Sequence, residues 1–151
     1  MVGTTYSSTI KYVSMRLILF IAVNNGLGII YVQIVNELCM SPCAKNIWSC
    51  CGVEFGPKYG AVLVLKRDLY GLKMAPNSLH KYFGDFLRYL RFTPSIADQE
   101  LWIRKYDKYE GYDYIETHVD NVINAAKNPS KCMHEIDMYY KVRYITDSPN
   151  Y

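Results

Sequence analysis

Asp120 and Asn121 stand side by side in E-T-H-V-D-N-V-I-N-A-A, residues 116–126, with largely β-forming residues on either side. A carboxylate and an amide oxygen are hard donors of the kind that a divalent cation such as Mg²⁺ accepts. The same pair at a hairpin tip is also ordinary turn chemistry, because Asp and Asn bond their own backbone and tolerate the bend. A second candidate is D-L-Y-G-L-K-M-A-P, residues 68–76, between a strand-like run and a helix-like one. Its glycine, lysine and proline suit a turn where backbone and Lys73 meet a phosphate, or a plain strand-to-helix connector.

Other reactive side chains carry less. His80, His118 and the pair His134-Glu135 show neither ligand-helix spacing nor a nucleophile elbow and read as scattered surface histidines. Cys39, Cys43, Cys50, Cys51 and Cys132 make an odd count with no C-x-x-C pair, which argues against a disulfide framework or a zinc knuckle. Thiols in a reducing, intracellular compartment are the expectation.

The elements that must position these residues follow from periodicity. Ile10, Val13, Leu17, Ile18 and Ile21 predict a helix over 10–23, stopped by Asn24, Asn25 and Gly26. G-I-I-Y-V-Q-I-V-N reads as a largely buried strand holding Gln33, and A-V-L-V-L-K as another. Residues 41–57 read as a loop with a short strand near I-W-S-C.

After Pro76, the apolar positions Leu79, Tyr82, Phe83, Phe86, Leu87 and Leu90 fall on one helical face, with Lys81, Asp85 and Arg88 opposite. The aromatics of that helix, Tyr89 included, read as core rather than as base-stacking platforms. E-L-W-I-R-K and Y-D-Y-I-E-T-H-V read as strands joined by D-K-Y-E-G, and V-I-N-A-A runs back as a hairpin partner. P-S-K-C-M-H-E-I-D-M-Y-Y-K-V closes the series as a helix. The order predicts an α+β fold with a mostly antiparallel sheet.

With 151 residues, half of them hydrophobic and 15 of them Tyr, the composition is that of a folded chain, and one domain over 1–151 is expected. A net charge of +3 does not mark a nucleic-acid binder, because phosphate affinity needs clustered cations. Lys66, Arg67, Lys73 and Lys81 suit either a template path or a solvated face. The most apolar run, L-I-L-F-I-A-V, falls well below the ~20 residues a bilayer-spanning helix needs, so no membrane partner is expected.

Taken together, Leu69, Tyr70, Gly71, Leu72, Lys73, Ala75 and Pro76 resemble the L-Y-G-L-K-x-A-P signature of Ty1/copia-type retrotransposon reverse transcriptases. Further pieces follow in that family's order. F-T-P-S-I-A-D-Q-E-L-W resembles its G-F-x-x-S-x-A-D-x-x-L-W strand, and H-V-D-N stands where it carries Y-V-D-D. Upstream, Q-I-V-N-E-L-C-M-S-P-C-A-K-N-I-W is similar to D-I-G-N-A-Y-L-N-A-P-C-R-E-K-I-W, and V-E-F-G to P-E-F-G.

The resemblance implies a palm-and-fingers polymerase domain that extends a primer on a nucleic-acid template with deoxynucleotides. Two Mg²⁺ ions held by three aspartates would supply the chemistry. It also implies that Lys73, with Gly71 and Met74 beside it, faces nucleotide or template. The chain ends at D-S-P-N-Y, near where the family continues toward a thumb and a ribonuclease H domain, so the fold is expected to lack a thumb.

The departures fall on the chemistry. The three aspartates correspond to Gln33, Asp120 and Asn121, so Asp120 is the one remaining metal ligand and Gln33 and Asn121 are degenerate partners. Met74 stands in place of Gln, Leu79 in place of Trp, and His118 in place of the aromatic before V-D. The strand entering the turn is about three residues short, and an odd deletion moves a strand's side chains to the opposite face. A catalytically inactive copy is expected, the alternatives being a nucleic-acid-binding remnant without chemistry and a fragment without selected function.

Overall fold

The computed structural model describes residues 12–35, 42–69, 72, 75–106, 111–118 and 120–145. In chain order the elements are α1 (Tyr12–Asn25), β1 (Gly28–Ile34), β2 (Pro42–Cys50), a 3₁₀ segment (Val53–Lys58), β3 (Val62–Arg67) and α2 (Ala75–Tyr89). They continue with β4 (Thr93–Pro94), β5 (Leu101–Lys105), β6 (Tyr112–His118), β7 (Asn121–Ala126), α3 (Pro129–Asp137) and β8 (Val142–Tyr144). Two compact units divide between residues 36 and 37 and between 82 and 83.

Within residues 37–82, β2 and β3 form an antiparallel hairpin with Trp48 opposite Val64, and its register shifts between Pro42 and Ile47. β2 corrects the expectation of a loop with a short strand. Pro42 reads locally as a breaker, yet the segment pairs along β3, and the irregularity absorbs the misfit. The hairpin leaves Trp48, Val62 and, in the following segment, Phe55 and Tyr59 exposed.

The other unit holds a six-stranded sheet in the order β4-β5-β6-β7-β1-β8, with every described pairing antiparallel. The architecture is mixed α+β. In β1, Ile30, Val32 and Ile34 are buried while Ile29, Tyr31 and Gln33 alternate with them toward the other face, as period 2 requires. Ser14, Ile18 and Ala22, four apart along α1, are its buried positions, and Ile18 and Ala22 cluster with Leu101 and Ala125.

α1 stops as its sequence predicts. Asn24 and Asn25 cap the carbonyls of Phe20 and Ile21 at 2.8 Å, and Gly26 takes a left-handed φ of 59°. Leu27 then donates to the Ala22 carbonyl at 2.9 Å, closing a Schellman-type end.

Phe83 and Leu87 of α2 are buried, and Gly84 lets the helix approach Trp102, whose ring would stand 3.2 Å from a Cβ there. Phe83 and Phe86 pack with Tyr140 at ring distances of 5.2 and 4.9 Å. Tyr82 and Tyr89 are more exposed than a core reading expects, because they sit at the edge of the buried stripe.

The last helix is shorter than its sequence suggests. It begins as predicted, with Asn128 accepting from the Lys131 amide at 3.0 Å, but ends at Asp137, whose carboxylate accepts from the Val142 amide at 3.1 Å. Val142–Tyr144 then joins the free edge of β1 as β8.

Candidate functional site

Antiparallel register decides which side chains meet. Gln33 of β1 pairs with Asn121 of β7, and Asn121 pairs with His118 of β6. The β6–β7 hairpin therefore closes between residues 118 and 121, with Asp120 in the turn. The Ile34 amide donates to the Asp120 carbonyl at 2.7 Å and ties that turn to β1.

The structure thus brings Gln33, Asp120 and Asn121 into one cluster. Gln33 Nε2 donates to Asp120 Oδ2 at 2.8 Å, and Asn121 Nδ2 donates to Asp120 Oδ1 at 3.1 Å. β6 ends at His118, and Asp120 in the turn after it meets both partners. Lys73, Gly71 and Met74 lie outside the described residues.

A pair of divalent cations does not fit this cluster. It offers one carboxylate, and each of its oxygens already accepts an amide hydrogen. Among the described residues no group of three or more His, Cys, Asp or Glu side chains is arranged to hold a metal ion. The amide donors do for Asp120 part of what a cation would do, compensating the carboxylate without adding charge.

On the same sheet face, two positions before His118, lies Glu116, a residue that sequence reading passed over. It is 1% exposed, and among the described residues neither carboxyl oxygen has a hydrogen-bond partner. Burial first, then the negative charges of Asp98 and Glu100, push its pKa up to about 7. Asp98 and Glu100 are themselves buried. Ser14 Oγ donates to Asp98, and Thr117 Oγ1 donates to Glu100 Oε2 at 2.9 Å. The signal in the sequence was a glutamate within a β-forming run, where Glu is depleted.

The opposite sheet face carries a second polar centre near the other end of β6. Arg104 donates to Asp113 Oδ2 through both Nε (3.1 Å) and an Nη (2.8 Å), and to Glu135 Oε2 at 2.7 Å. It also lies 4.4 Å over the Phe92 ring. Tyr106 donates its hydroxyl to Asp113, and burial together with that carboxylate raises its pKa. Burial also pushes the Cys132 thiol up to about 12, which makes it an inert core cysteine. Cys43, Cys50, Cys51 and Cys132 are free thiols. Among the described residues, no helix is long and apolar enough to cross a membrane.

No known family profile matches the chain, and no solved structure does. Among curated proteins, the chain is 25% identical over 137 residues to the retrovirus-related Pol polyprotein from transposon RE1 of Arabidopsis thaliana. It is 24% identical over 137 residues to the corresponding polyprotein from transposon RE2 of the same plant. Each match covers 88% of this chain, which spans about 9% of the length of those relatives. The two similarities support a region derived from a retrotransposon Pol polyprotein.

Proposed function

We propose that the chain is a Ty1/copia-type reverse transcriptase domain, palm-and-fingers in fold, that has lost nucleotidyl transfer. The observation that carries this reading is the convergence of Gln33, Asp120 and Asn121, three positions 87 and 88 residues apart in sequence yet joined by hydrogen bonds and ladder pairing. Those are the positions to which the resemblance assigns the family's three aspartates. In this reading, Lys73, with Gly71 and Met74, faces nucleotide or template.

The loss follows from charge. Two divalent cations in a cleft need nearby anions to offset their desolvation and mutual repulsion, and two of three carboxylates have become neutral amides. Amide oxygens still coordinate, but they do not neutralise. Primer extension on an RNA or DNA template with Mg²⁺ or Mn²⁺ tests the reading: the unaltered chain yields no extended product, and template-dependent elongation would overturn it.

A second reading, nucleic-acid binding without chemistry, is favoured by a cavity of about 610 Å³ lined by Arg91, Arg104, Lys105, Lys127 and Lys131. The two carboxylates in its wall, Asp113 and Glu135, are both bound to Arg104, so Lys105, Lys127 and Lys131 give the site a positive excess. Replacing Lys105, Lys127 and Lys131 by Ala is expected to lower the slope of log affinity against log salt by about 2–3. An unchanged slope would remove this reading.

A further inference from the structure

The face of the sheet that carries Gln33 and Asn121 also borders a cavity of about 720 Å³ between α1 and the sheet. Its lining includes the apolar Met15, Leu19, Ile29 and Ile123 and the polar Glu116, His118 and Asn121. That volume lies within the range of roughly 300–1,000 Å³ usual for small-molecule sites.

Three observations define what the cavity would take. Glu116 lines the cavity and is 1% exposed, and among the described residues neither of its carboxyl oxygens has a hydrogen-bond partner and no cation is bonded to it when it is ionised. Asp98 and Glu100, whose charges act on Glu116, deepen the negative potential and disfavour any anion, phosphate included. Among the described residues His118 Nδ1 is also without a partner, and His118 lines the same cavity.

A bare metal ion is a poor occupant, because no three-ligand set exists among the described residues. A neutral polar molecule satisfies the oxygens but leaves the charge. We infer that this cavity binds a small organic ammonium ion with a hydrocarbon body, the ammonium donating to Glu116 and the body lying against Met15, Leu19, Ile29 and Ile123.

Calorimetric titration of the full chain at pH 8 with phenethylammonium, 2-phenylethanol and phenylacetate tests this. The ammonium is expected to bind at least about tenfold more tightly than the alcohol, and phenylacetate not at all. Glu116→Gln is expected to weaken the ammonium about tenfold or more while leaving the alcohol unchanged, since the alcohol reports an intact cavity. Equal affinity for ammonium and alcohol, or full ammonium affinity in Glu116→Gln, would overturn the assignment. If that variant takes up neither ligand, Leu19→Trp, which fills the cavity from α1, decides: loss of ammonium binding upholds the site and its persistence overturns it.

Discussion

β6 carries two fully buried carboxyl groups three residues apart, on opposite faces of one sheet, and the protein treats them in opposite ways. Asp113 and Glu116 are each 1% exposed. Asp113 receives a guanidinium and a phenol. Among the described residues Glu116 receives no hydrogen bond, it feels the charges of two further carboxylates, and its ionisation is deferred to about pH 7. Asp120, at the end of the same hairpin, is intermediate: two neutral amides hold it, and among the described residues no cation is seen bonded to it. Equal burial therefore has unequal consequences, set by which partners the fold delivers to each face.

The largest effect should come from removing the compensation at Asp113. Arg104→Met leaves that carboxylate buried without its cation and also removes the bonds to Glu135 and the Leu90 carbonyl. A loss of about 3–5 kcal/mol in denaturant unfolding is expected. A loss below about 1 kcal/mol would mean that the bidentate pair contributes no more than a surface ion pair.

Glu116→Gln should move stability the other way. The folded pKa of about 7 lies above the ordinary value of 4.5, so the neutral acid's contribution is complete below pH 4.5 and is lost as pH rises through 7. The variant should exceed the unaltered chain by about 2 kcal/mol at pH 8 and match it near pH 4. Parallel stability profiles across that range would contradict the contrast with Asp113. The smallest effect belongs to Asp120→Ala, expected to cost about 1 kcal/mol, because the Gln33 and Asn121 amides are only partly buried and recover water.

The sequence made much of this scaffold legible through local pattern. A β-branched run between glycines and polar breakers gave β1, the turn chemistry before it gave β6, the Asn24-Asn25-Gly26 run gave the end of α1, and the Pro129-Ser130 start gave α3. It did not give β8 or the length of β2, because β8 is decided by pairing to the edge of β1 and β2 by pairing with β3, rather than by their own residues. The meeting of Gln33 with Asp120 was legible only through resemblance to a family, since no local signal joins residues 87 apart. The contrast between Asp113 and Glu116 was not legible at all. Both are acids within β-forming runs, and only the fold reveals that Arg104 reaches one of them.

If Gln33 and Asn121 occupy positions where carboxylates would complete a metal site around Asp120, restoring both carboxylates should create that site. Mn²⁺ titration followed by water-proton relaxation, on the unaltered chain and on Gln33→Asp/Asn121→Asp, tests it directly. The restored chain should bind Mn²⁺ at least roughly a hundredfold more tightly than the unaltered chain, about 2.7 kcal/mol from two added anions. Equal affinity in the two chains, whether strong or weak, would contradict it.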